Sequence, residues 1–94
     1  MGPDAAALAA LEREELDELN ARASKIATGL ASVRATRQSQ GQQLPTDIDA
    51  SHDKMKSLLN QADAAVGSGD VFSAQKFITL AEAEAKKLDK FLGH

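Results

Sequence analysis

The chain has 94 residues, no cysteine, tryptophan or tyrosine, and a formal net charge of −3. A chain this short fits one small domain with no interior room for a large cofactor pocket, and without cysteine it can form no disulfide, zinc–thiolate site or thiol nucleophile. Mild acidity argues against a duplex nucleic-acid binder, and three phenylalanines (Phe72, Phe77 and Phe91) make no stacking platform for single strands.

The first element is a long helix, expected over about residues 4–40. Asp4 suits an N-cap. Acidic residues (Glu12, Glu14, Glu15, Asp17, Glu18) come first and basic ones (Arg22, Lys25, Arg34, Arg37) last, which matches the helix dipole. Glu18 and Arg22 are spaced for a pair one turn apart. The Ala-Leu stretch from Ala5 to Leu11 is closed by Glu12 and is too short to span a membrane. It also lacks the basic leader of a signal peptide. The chain is therefore expected to be soluble, cytoplasmic or periplasmic, without membrane insertion or a targeting segment of its own. A seam stepping by three and four residues runs Leu16, Leu19, Ala23, Ile26, Leu30, Val33. Gly29 flanks it, and close approach of a neighbouring helix is the expected reason.

Polar, glutamine-rich residues follow Val33 and pass into a linker over about residues 41–46. Thr46 and Asp49 have the spacing of a capping box, with aspartate in place of glutamate. A second helix is expected over about residues 47–66, with a seam of Ile48, His52, Met55, Leu59, Ala62 and Val66. Gly67-Ser68-Gly69-Asp70 is a turn: glycine ends one helix and Asp70 caps the next. So short a connection forces an antiparallel hairpin. The third helix, over about residues 71–92, carries the seam Val71, Ala74, Ile78, Ala81, Ala85, Leu88, Leu92. Phe77, Leu80 and Phe91 widen its apolar face, so it should contact more than one neighbour. No internal repeat is visible.

The expected fold is all-α: one helical domain over residues 1–94, an antiparallel three-helix bundle with a long N-terminal helix, a short-turn hairpin and coiled-coil-like packing. At 1.5 Å per residue, helix one outruns its partners and should project about 20 Å past the turn. That overhang would expose Leu8, Leu11, Leu16 and Leu19, which are therefore the candidate interface residues. A second chain is the economical cover, since the helix's acidic and basic halves would complement each other in antiparallel pairing. On this reading Leu16→Asp with Leu19→Asp would leave a monomer with its hairpin intact.

Chemistry is sparsely written. Asp49 and His52 form an acid-x-x-His pair on helix two, one element of a carboxylate-bridged metal site in a helical bundle. A dimer would double it, and Glu12 or Glu15 would add carboxylates. The plainer reading is a half-exposed histidine bonded to Asp49 or water, with no metal and no cofactor. No nucleophile elbow or phosphate loop is present. The sequence thus points to a non-enzymatic helical interaction or oligomerisation module, a homodimer through its first helix, with no nucleic acid bound and no membrane insertion. The alternatives are an adaptor that accepts a helix from another protein and, more remotely, a small metal-dependent bundle enzyme.

Overall fold

The computed structural model describes residues 5–94, with the side chain of Ala5 left aside; the expected Asp4 cap lies outside this range. The described residues form three helices and no strand: α1 (Ala5–Ser39), α2 (Thr46–Ser68) and α3 (Val71–Leu92). They pack as an all-α bundle elongated to 60 × 18 × 17 Å. None is long and apolar enough to cross a membrane.

The turn between α2 and α3 sets the frame. Gly69 adopts φ 79°, a left-handed conformation that glycine takes without strain. Its N–H donates to the Val66 carbonyl and that of Asp70 to the Ala65 carbonyl, closing α2 in a Schellman arrangement. The Asp70 carboxylate then accepts from the Ser73 N–H at 3.1 Å and caps α3. The two helices lie antiparallel with the most extensive contact in the molecule. Buried alanines (Ala62 and Ala65 on α2; Ala74, Ala81 and Ala85 on α3) let their backbones approach. α1 lies against this hairpin, more on α3 than on α2.

The seam of α3 is buried at Ala74, Ile78, Ala81, Ala85 and Leu88, and that of α1 at Leu16, Leu19, Ile26 and Leu30. The seam of α2 differs from the expected one. Ser51 is buried, His52 only partly so, and the stripe runs Ile48, Ser51, Met55, Leu58, Leu59, Ala62, Ala65. The step from Ile48 to Met55 can pass through either residue. Ser51 takes the inner place because its hydroxyl donates to Glu84 Oε1 of α3 at 2.8 Å. Two local pairings also yield to tertiary ones. Arg22 binds Asp89 of α3 at 2.6 Å rather than Glu18. The expected capping box does not form, because the Asp49 carboxylate accepts from Arg34 of α1, and α2 begins with no side-chain cap.

The register of α1 departs from the length arithmetic. Arg34 pairs with Asp49 near the start of α2, and Arg13 with Asp63 near its end at 2.7 Å. The chain does not reverse flush at the end of α1. It returns through residues 40–45 beside the last turns, with Leu44 buried, Arg37 donating to the Gln43 carbonyl and the Arg37 guanidinium over the Phe91 ring. The surplus of α1 is therefore shared between both ends. Leu8 reaches only the level of Val71 and Phe72. Leu16 and Leu19, expected on an exposed overhang, are 0% and 4% exposed within the single chain.

Two outcomes follow for unfolding followed by circular dichroism. Leu16→Asp with Leu19→Asp should abolish the cooperative transition, since it puts two charges in the core. A Cβ at Gly29 would stand 3.0 Å from Leu92 Cδ1. Gly29→Ala should therefore gain less than the ~1 kcal/mol of helix propensity in the natural chain, and about the full amount where Leu92 is already alanine. An equal gain in both backgrounds would show that Leu92 does not govern the approach.

Candidate functional site

The seam of α1 does not stop at Leu16. One step of four residues earlier it falls on Glu12, which is 6% exposed. Glu12 sits where α1 passes the start of α3, and it lines an open cleft of about 230 Å³ with Leu8, Val71, Phe72 and Gln75. The cleft's apolar walls are exposed, Phe72 at 87% and Leu8 at 40%, and Leu11, next to Glu12 on α1, is 55% accessible. Phe72 is turned outward because the α3 seam passes through Val71 and Ala74, leaving position 72 off the buried face.

Within this setting the Glu12 carboxyl is poorly served. Its Oε1 is buried and has no hydrogen-bond partner among the described residues. Burial lifts its pKa above the ordinary 4.5, and the neighbouring Glu15 and Asp70 lift it further. Arg13, the adjacent base, is held by Asp63 of α2. Asp70 stays ionised easily, its pKa lowered by hydrogen bonds from Ser73. This end of the bundle is acidic as a whole, with Glu14, Glu15, Asp17 and Glu18 on α1 and Asp63 and Asp70 on the hairpin. Lys76 is the other base nearby in the first turns of α3.

The residues singled out by sequence are dispersed. Leu8 belongs to the cleft and Leu11 to its exposed surroundings, whereas Leu16 and Leu19 are core. Asp49 and His52 are not assembled into a ligand set. Asp49 is engaged by Arg34, which holds its carboxyl below the ordinary 3.8. His52 lies in a separate groove between α1 and α2, lined also by Ala23, Ala27, Met55 and Leu59. Burial, then Lys56, pushes its pKa down. Among the described residues no group of three or more histidines or carboxylates is placed to hold a metal ion. By residue type alone Glu12 is only an accessory carboxylate to the Asp49 and His52 pair. The signal that finds it is the seam period itself, carried one step past the last leucine.

Glu12 and Asp49 should give opposite pH trends in urea midpoints. The folded chain holds the Glu12 proton more readily than the unfolded chain, so its ionisation destabilises the fold as pH rises above 4.5. Glu12→Gln should be more stable than the natural chain at neutral pH, with the advantage lost below 4.5. Glu12→Leu should add about 1–3 kcal/mol at neutral pH. Asp49 stabilises above 3.8, and its contribution fades as pH falls through its lowered value, so the natural chain's margin over Asp49→Asn should disappear in acid.

Comparison with known proteins supplies no relative: no family model matches the chain, and no curated protein and no solved structure matches it.

Proposed function

We propose that this protein is a non-enzymatic helical interaction module whose acidic end docks a basic amphipathic helix of another protein. The observation that carries the reading is the exposed apolar rim of Leu8, Leu11 and Phe72 set within an acidic surround. Of the four exposed large apolar side chains among the described residues, Leu8, Leu11 and Phe72 lie at this end beside a cleft, with Leu80 further along α3, and such a group suits helix-in-groove recognition.

Charge favours a different chain over a second copy. A two-fold pair built on this face would set Glu12, Glu14, Glu15 and Asp70 against the same residues of its mate. Like charges facing one another across a contact are unfavourable. The antiparallel pairing of whole first helices also loses its main anchors, because Leu16 and Leu19 are already buried within one chain. A basic helix meets neither objection: its apolar stripe covers the rim, and its charges face carboxylates.

The test uses three labelled helical peptides with one apolar face and a basic, neutral or acidic polar face, read by fluorescence anisotropy beside light scattering of the protein alone. The basic peptide should bind best, and Leu8→Ser with Phe72→Ser should weaken it by about tenfold or more. The protein alone should scatter as a monomer at high micromolar concentration. Failure of the basic peptide to bind, or binding indifferent to the double substitution, would overturn the reading. A dimer that the double substitution dissociates would replace it with self-assembly.

A further inference from the structure

We propose that the cleft at the acidic end is a subsite for one ammonium or guanidinium group on an apolar stem, with the Glu12 carboxylate as its receiving group. In the docked complex this would be a single lysine or arginine side chain of the partner helix, so the inference rests on the docking reading above.

The first argument is the unpartnered oxygen. Buried polar atoms are nearly always hydrogen-bonded, and a buried carboxylate without a partner is among the more expensive defects a small fold can carry. Glu12 Oε1 is such an atom. Among the described residues, no element packed around it supplies the missing charge. On α1, Glu15 is acidic and Arg13 is turned to α2, where Asp63 holds it. At the start of α3 the nearest charge is Asp70, again acidic. Among the described residues the site holds no cation against this oxygen and gathers the groups that would welcome one.

The second argument is the wall. Leu8, Val71 and Phe72 give the cleft an apolar lining, with Gln75 as its neutral polar member. A lysine or arginine carries an alkyl stem that covers apolar surface while its head seeks a carboxylate. The aromatic ring in the lining adds attraction for a cation. A metal ion would gain nothing from such walls. The volume, about 230 Å³, is smaller than a drug-sized ligand requires and fits a side chain. A cation held there favours the ionised carboxylate, so binding should expel a proton and strengthen as pH rises through the lifted value of Glu12. Glu15 and Asp70 are the other charged groups that bear on it among the described residues.

The probe is n-butylammonium chloride titrated into the whole protein, with n-butanol and sodium chloride as controls, followed by carbon-detected carboxyl and methyl resonances. Butylammonium should shift the Glu12 carboxyl together with the Leu8 and Val71 methyls in one saturating curve, and lower the Glu12 titration midpoint. It should bind about tenfold tighter than butanol. Glu12→Gln, its fold checked in the same spectra, should erase the preference for the ammonium. Equal responses to butylammonium and butanol, or an ammonium preference that survives Glu12→Gln, would overturn the subsite. Neither of those results touches the docking reading, which stands or falls on the response of the basic peptide to the Leu8 and Phe72 substitutions.

Discussion

Everything in this molecule hangs on the two residues between α2 and α3. Gly69 and Asp70 close one helix and open the next with no slack, so the hairpin is committed to antiparallel contact along its whole length. Alanines at the seam then draw the two backbones close. A pair so joined leaves one long apolar groove, and α1 fills it with Leu16, Leu19, Ile26 and Leu30. Because α1 runs in the same direction as α3, its early turns meet the first turn of α3 beside the same two-residue connection. Glu12, Phe72 and Asp70 are neighbours for that reason.

Much of the fold was legible because helical periodicity is a local property. The stripes of α1 and α3 follow from residue type alone, as do the turn and its caps. What escaped was set by partners. Ser51 and His52 both satisfy the step from Ile48 to Met55, and only Glu84, from another helix, selects between them. Arg22 and Asp49 leave their local spacing for Asp89 and Arg34 for the same reason. Helix lengths alone do not give the overhang, because the return path of residues 40–45 lets α2 start level with Arg34 rather than with the end of α1. The candidate site was less legible than the fold. A carboxylate on a seam does not register as a seam residue, so residue type stops the pattern at Leu16 although its period continues to buried Glu12.

Glu12 departs from the consistency seen elsewhere in the chain. Seam positions of all three helices are filled by aliphatic, alanine or hydrogen-bonded residues, and this one holds a carboxyl with an idle oxygen. Small bundles have little stability in reserve. Residues that break the local rule at a cost to folding concentrate where a molecule meets something else. That the irregularity coincides with exposed Leu8, Leu11 and Phe72 is what favours this end, on the proposed reading, over the groove holding His52.

The order of charge along the molecule has a kinetic side. Carboxylates outnumber bases at the end that holds Glu12, while at the other Arg34, Arg37, Lys86, Lys87 and Lys90 are balanced by carboxylates such as Asp47, Asp49, Glu84 and Asp89, along a body 60 Å long. Such a rod has an electric dipole directed along its axis. On the proposed reading, a cationic helix diffusing nearby is turned and drawn toward the acidic tip before any side chains touch. The association rate of such an encounter falls with ionic strength, whereas the lifetime of the complex is set by the apolar rim.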